Sequence, residues 1–544
     1  MGEINKISRR AFIKRAGVGG AALLAGKMLG VFDPLSVLSA KGQALNAVKT
    51  QMGPFVPDAE ISITAAEKTV QILSGTQTRV WGYEGKWLSG SGVSVTNLPG
   101  TYLGPVVRVK SGTNLRLNFH NNLAEKSILH PHGIRVLEQF DGHPMDAIGP
   151  GKSLVYDISV IDGARPAWMH PHPMMRTAEQ VIMGMAGLFY IWDEEEEEAV
   201  PGASTGANDI PLVIQDRTFD SKNQIYYSQN MMSNMMGFLG DRILVNGQVN
   251  PLISLEPRAY RLRLLNGSNA RSYRLAWSNN MPLNVIGSDG GLLPAVEKHN
   301  YVMLMPGERV DLWVDFSTVA GRQLTLRSLS WQAMSMGGGM MGGGMMGGGM
   351  LGGGMMGGMM GGIANGAAFD ILKINVDQKV TANPVLGPLP ALKTQFNASN
   401  VANFATPTPF ILALSGMMNW TMNGRVYEET GMPEADEIVK LNEPIAWEWI
   451  NNSPIAHPMH IHNVQFRVVK RTPSPYSGYA TVKDGFVDSG WKDTVMVYPG
   501  ERVKVAMNFE PYTGMYMYHC HILEHEDMTM MRNFSIVAPD SMGM

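Results

Sequence analysis

Cysteine is almost absent: Cys520 is the only one in 544 residues, so no disulfide forms within the chain and a small disulfide-stapled fold is excluded. Charge of one sign is not in excess either. With 44 Lys and Arg against 47 Asp and Glu, nothing draws the chain broadly onto nucleic acid, and no nucleic-acid partner is expected. Beyond the N-terminal region no run is long and apolar enough to cross a bilayer, so no stable membrane span is expected. Long helical periodicity is scarce as well. From about Ile61 the chain reads as short alternating segments broken by Gly, Pro and Asn, among them Arg108 to Leu123, Leu154 to Ile161 and Gly187 to Trp192. That pattern predicts an all-β protein of β-sandwich domains, about three of them at this length.

Glycine (61) and methionine (41) are abundant, and much of that excess sits in one place. From Met334 to Gly362 the chain holds 11 Met and 16 Gly with one Ser and one Leu. Such a run cannot build a packed core, and it predicts a loop without fixed structure. At the N-terminus, Ser8-Arg9-Arg10-Ala11-Phe12-Ile13-Lys14 precedes a mildly apolar run from Ala16 to Phe32. This resembles a twin-arginine export signal, so residues 1–47 are expected to be a signal region, cleaved between Ser39 and Ala47, on a periplasmic or extracellular protein. The expected domains are 60–205, 206–385 with the Met/Gly insertion 334–362, and 400–544. An acidic run, Asp193 to Glu198, followed by small polar residues to Asn208, reads as an interdomain linker or equally as a solvated loop.

An internal repeat organises the chain. Asn121-Asn122 is followed nine residues on by His130-Pro131-His132, and Asn451-Asn452 at the same step by His460-Ile461-His462. Pro150-Gly151 precedes His170-Pro171-His172 by twenty residues, as Pro499-Gly500 precedes His519-Cys520-His521. The middle block keeps the frame and lacks the histidines. There Asn266-Gly267 leads to Leu275 and Trp277, and Pro306-Gly307 to Leu326 and Ser328. Three related sandwiches are predicted, with a metal site where the first and third meet.

Neighbouring side chains on a strand face opposite ways, so Cys520 points to one side while His519 and His521 point to the other. A thiolate, two imidazoles and a weak axial thioether make a blue-copper site. The candidates are Cys520, His525, a third histidine, and Met530 or its neighbours Met528 and Met531; His457, three residues before His460, can swing to the far side to complete the set. The four His-x-His pairs (His130, His132, His170, His172, His460, His462, His519, His521) can hold three more copper ions with open positions for dioxygen. His120, His143 and His299 remain, and read as structural or surface residues.

The segments His130-Pro-His-Gly133, His170-Pro-His172, His457-Pro-Met-His-Ile-His462 and His519-Cys-His-Ile-Leu-Glu-His525 with Met530 resemble the four copper signatures of the three-domain multicopper oxidases. The resemblance implies three cupredoxin-like Greek-key β-sandwiches and four copper ions. His130 and His460 would hold the type 2 copper. His132, His170 and His521 would hold one copper of the binuclear type 3 pair, and His172, His462 and His519 the other. His457, Cys520, His525 and Met530 would hold the type 1 copper. A reductant near the edge of His457 or His525 would give single electrons, which pass through Cys520 to His519 and His521; four of them reduce dioxygen to water, with Asp141 and Glu526 as proton donors. Asp141 has an alternative reading as a solvated loop acid, and Glu526 as a partner of His525. Two departures stand out: Pro131 replaces a commoner aromatic residue, and Met174 a common further histidine.

Methionine thioethers are soft ligands that prefer Cu(I). With the Met/Gly run, Met231, Met232, Met235 and Met236, and the pair Met417 and Met418, the chain resembles the Met-rich metallo-oxidase branch, and the resemblance implies oxidation of Cu(I) and sometimes Fe(II) in copper tolerance; the run reads alternatively as a low-complexity insertion with no role or as a lid over the substrate site. The approach Asn451-Asn452-Ser453-Pro454-Ile455-Ala456 lacks the Asp and Met that many members of that branch use to hold substrate copper. The rivals are a laccase for phenols and aromatic amines, and a non-catalytic copper buffer. The expected partners are dioxygen and Cu(I) or a small reducing substrate, and the expected state is a monomer.

Overall fold

The computed structural model describes residues 54–333, 362–379, 383–392, 401, 403–415, 419–428 and 431–539. The segment expected to be an export signal, the Met/Gly run up to residue 361, and Met417 with Met418 lie outside them. Among the described residues no helix is long and apolar enough to cross a membrane.

Six sheets pair into three sandwiches within one compact unit. The first packs the sheet Thr78–Gly90, Ala59–Val70, Asn114–Asn121, Lys152–Ser159 on the sheet Val93–Thr96, Val106–Lys110, Gly187–Trp192, Arg165–Pro171, Leu129–His132. Its core joins Ile61, Ile63, Val107, Val109, Leu129, Phe189 and Ile191 across the two. The segment read as continuous from Arg108 to Leu123 divides between the sheets. Gly112, at φ 87°, turns the chain after Lys110, so Asn114–Asn121 belongs to the opposite layer.

The second sandwich runs from Asp209–Arg217 to Phe369–Val376, the third from Thr408–Ser415 to Met531–Val537, each around its own core. The acidic run between the first two is a helical turn, Glu194–Ala199, capped by Asp193. Glu196 on it is buried and accepts from Arg261 at 2.6 Å, so this connection is packed rather than solvated.

The repeat has a physical cause. Asn121, Asn266 and Asn451 are wholly buried, and each clasps two strand ends. Their side-chain N–H groups donate to Glu125 and Ile148, to Arg271 and Leu304, and to Ile455 and Val497 carbonyls, all at 2.8–2.9 Å. Their backbone carbonyls accept from Gly151, Gly307 and Gly500, the glycines of the three Pro-Gly turns. Every polar group of the buried amide edge is thereby met.

The clasp also explains a difference in the middle block. Asn266 reaches the carbonyl five residues on, where Asn121 and Asn451 reach four. One extra residue flips a strand's faces. Leu275 and Trp277 therefore lie in the core, and the outward position paired like His130 with His170 belongs to Ala276 opposite Arg327. The sequence step of nine pointed to the wrong face of that strand.

Candidate metal centre

Outward faces of the strands Leu129–His132, Arg165–Pro171, His457–Ile461 and Gly514–Cys520 bring histidines of the first and third sandwiches together. Leu129 and Met169 fill one core, Met459 and Ile461 the other, and strand alternation turns His130, His170, His460 and His519 outward. Pro131 is tolerated because its strand is the sheet edge, which has a neighbour on one side only.

Within the junction, one ligating atom from each of His130, His132 and His460 lies within 4.8 Å of the others; the same holds for His132, His170 and His521, and for His172, His462 and His519. All eight rings are buried, and burial first, with neighbouring rings or cations after it, holds His130, His132, His172, His460, His462 and His521 well below the ordinary imidazole range. Burial likewise lowers His170 to about 3 and His519 to about 4. The rings are therefore neutral, with a lone pair each.

Acceptors at Nδ1 decide where most of those lone pairs point. Carbonyls accept from His130 (Asp141 O, 2.6 Å), His170 (Pro171 O, 2.9 Å), His460 (Asp493 O, 2.8 Å) and His519 (Cys520 O, 3.0 Å). A carbonyl cannot donate, so each Nδ1 carries the proton and each Nε2 the lone pair. The Asp141 carboxyl does the same for His462 at 2.8 Å. As a result His462 Nε2 and His519 Nε2 face each other at 3.1 Å, and His130 Nε2 and His460 Nε2 are buried without any partner.

Cys520 faces the interior of the third sandwich. His457 Nδ1 is 3.4 Å and His525 Nδ1 3.6 Å from its Sγ, and the three form a fourth group. Burial raises the thiol above its ordinary range and lowers His525 to about 3, so a cation must displace the thiol proton to bind there. Met530 shares the core around Cys520, whereas Met531 packs with Tyr427, Met517 and Met174 in a separate cluster. Thr529 turns the chain between Met528 and Met530 at φ 74°, a conformation uncommon for a β-branched residue.

Two models described as Multicopper oxidase match residues 88–196 and 402–540. The multicopper oxidase mco of Staphylococcus haemolyticus is 33% identical over 442 residues, spanning 80% of this chain and 83% of that one. This chain belongs to the multicopper oxidase family. A laccase of Bacillus subtilis is 30% identical over 519 residues, 85% of this chain and 91% of its own. The McoA multicopper oxidase of Aquifex aeolicus, a crystal structure, superposes with a TM-score of 0.72 at 32% identity, over 89% of this chain and 97% of that one. As a multicopper oxidase, the chain is an oxidoreductase that carries copper and uses dioxygen with a reducing substrate.

The junction fits the metal of that family. Converging, uncharged imidazole lone pairs with no proton between them repel unless a cation takes them, and imidazoles with a thiolate are a copper donor set. Asp141 and Glu526 are both at the junction and both buried. Asp141 Oδ1 lies 3.7 Å from His130 Nδ1; Glu526 lies 3.5 Å from His172 Nε2 and 3.3 Å from His519 Nδ1. Glu526 thus borders the rings of the junction rather than His525. Burial first, and nearby acids second, push both carboxyls well above the usual range.

Neither His457 nor His525 presents an open edge in this multicopper oxidase: both are fully buried, Ser453 Oγ is 2.7 Å from His457 Nε2, and the Met235 carbonyl is 3.2 Å from His525 Nε2. That carbonyl belongs to a short helix, Met231–Met236, started by a capping box between Asn230 and Ser233. Trp420 packs on His457 and His525 and donates to Asn234 O at 3.2 Å. Gly237 lets the helix approach, since a Cβ there would sit 2.1 Å from Ala270 Cβ and 2.9 Å from Ile522 Cγ2.

Sequence reasoning missed Trp168, which packs against His132, His170 and His521. Its place two residues before His170, on the same strand face, was the available signal. His120, His143 and His299 lie apart from the groups, with Ser153, Asn533 and Glu297 as neighbours.

Proposed function

We propose that this multicopper oxidase takes Cu(I) as its reductant, in copper tolerance outside the cytoplasm, with the three sandwiches as domains near 60–205, 206–385 and 400–544. The observation that carries the substrate is the Met231–Met236 helix over His525. Met231 is 73% exposed, and Met235 and Met236 pack on the core that holds Cys520. Thioethers on the solvent side and a carbonyl on the imidazole side make a short path for electrons from a soft monovalent cation.

Four coppers are assigned here: one to His457, Cys520, His525 and Met530; one to His130 and His460; and a pair to His132, His170, His521 and His172, His462, His519. Copper there would supply one-electron chemistry beside Cys520 and dioxygen reduction among the eight imidazoles. Cys520 and its two neighbours link these places through three consecutive residues of backbone. Trp420, Ser453 and the methionine helix exclude water from the Cys520 side. Burial favours the protonated carboxyl of Asp141 and of Glu526, and among the described residues neither Asp141 Oδ1 nor Glu526 Oε2 has a hydrogen-bond partner.

Dioxygen uptake with Cu(I) alone, beside a phenol as comparator, tests the substrate. Replacing Met231 and Met232 by leucine, or deleting 334–361, should lower Cu(I) turnover and spare the phenol. Better phenol turnover in the parent, with Cu(I) oxidation untouched by either change, would mean a laccase instead.

Asp141→Asn and Glu526→Gln should each slow turnover by roughly 10²–10⁴-fold, the range for a lost general acid. The pH–rate profile should lose its basic limb in each variant. An unchanged profile would remove both residues from proton delivery.

A further inference from the structure

His132 is oriented in reverse. Its Nδ1 lies 3.4 Å from His170 Nε2, on the metal side, while its Nε2 faces Asp493 Oδ1 at 3.0 Å and Arg309 Nη1 at 3.1 Å. Whether Nε2 donates or accepts turns on what Arg309 has left to give. Nε donates to Pro166 O at 2.8 Å; Nη1 donates to Gly307 O at 3.0 Å and Asp493 Oδ1 at 2.7 Å; Nη2 donates to Asp289 O at 3.1 Å and Asp493 Oδ2 at 2.5 Å. All five guanidinium hydrogens have acceptors, so none remains for His132. Thr494 Oγ1 lies 3.5 Å from His132 Nε2, but its hydroxyl donates to Asp493 Oδ1 at 2.9 Å and has no second hydrogen to give. The carboxylate is left as the partner of His132 Nε2, which must donate to it.

The three groups come from three sandwiches: His132 from the first, Arg309 from the second, Asp493 from the third. No spare room surrounds them. A Cβ on Gly133 would sit 2.7 Å from Arg309 Nη2 and 2.9 Å from Asp493 Oδ2, and one on Gly307 would meet the His521 ring at 2.8–3.0 Å. A parallel pair backs the first, with Lys492 Nζ 3.0 Å from Asp289 and 3.2 Å from Glu308.

We infer that Arg309 and Asp493 are positioning residues for the metal cluster: they fix the His132 proton on Nε2 and so present Nδ1 to the metal. The second sandwich, which carries none of the ligands, thereby decides which atom one ligand uses. This rests on the ligand assignment proposed above.

The test compares Asp493→Asn, Asp493→Glu, Arg309→Lys and His132→Ala in the full copper-loaded chain, reading copper per chain and the electron paramagnetic resonance and absorption spectra. The asparagine amide can donate to Nε2 and move the proton to Nδ1. Asp493→Asn should therefore weaken copper retention at the junction by about 10–100-fold and alter the absorption of the type 3 pair, with the blue absorption of the Cys520 site unchanged. Asp493→Glu should recover most of the copper. Arg309→Lys, which cannot fill five acceptors, should fall between them and serves if Asp493→Asn does not fold. Full copper and parental spectra in Asp493→Asn and Arg309→Lys, with copper lost in His132→Ala, would overturn the positioning role alone. Full copper in His132→Ala would overturn the ligand assignment itself.

Discussion

Cys520→Ser should abolish the blue absorption and cut oxidase activity by ~10³-fold or more, equivalent to about 4 kcal/mol in barrier height. The serine hydroxyl is close in size, so the buried core with Met459, Ile522 and Met530 should stay packed. What is lost is chemical. A hydroxyl is a hard, poorly acidic donor that does not favour copper beside two imidazoles, and the link from Sγ to the flanking histidines goes with it. Copper per chain should fall by one, with the junction signals retained. A variant that keeps both the blue band and more than a tenth of the parental activity would remove Cys520 from the electron path.

Asp209→Asn should cost about 3–5 kcal/mol of stability, the range for breaking a buried ion pair from one side. Asp209 receives Arg261 at 2.7 and 2.8 Å, Arg108 at 2.9 Å and Arg263 at 3.4 Å, with Glu196 and Asp311 completing the cluster between the first two sandwiches. An asparagine leaves three buried guanidiniums short of one counter-charge. Burial alone would raise the Asp209 carboxyl, but the guanidiniums, Arg261 foremost, hold it well below the usual range. Its contribution is therefore present in full above the ordinary carboxylate pKa and fades as pH falls toward the depressed folded value. Urea unfolding of the metal-free protein should show the full loss at neutral pH and a narrowing gap between parent and variant in strong acid. A loss under about 1 kcal/mol at neutral pH, the scale of an exposed pair, would mean that water reaches this cluster.

Residue spacing made the four strand pairs legible. The buried Asn clasp and the alternation of a strand are local rules, and they carry His130, His170, His460 and His519 to one junction. They also put Cys520 on the other face from its neighbours. Where several elements meet, the text was silent. Arg309 and Asp493 lie 184 residues apart, and neither stands in a pattern that announces the other. The cover on His525 is a backbone carbonyl, which no side-chain motif records. The acidic run misled because five consecutive glutamates, Glu194 to Glu198, look solvated while only Glu196 turns inward to Arg261. Identical spacing misled in the middle block, since one extra residue inside the clasp is invisible until the clasp itself is seen.

That extra residue bears on anyone wishing to graft a new centre onto the second sandwich. Histidines at 275 and 326 would follow the written repeat and be swallowed by the core. The usable sites are Ala276 and Arg327, which face each other on the outer side of their strands. Ala276 shares a buried apolar cluster with Ala456, Met496 and Tyr498 of the third sandwich, so a donor placed there would face a different seam from the one that holds the eight imidazoles. The scaffold thus carries a second outward-facing pair, one notch out of phase with its own lettering.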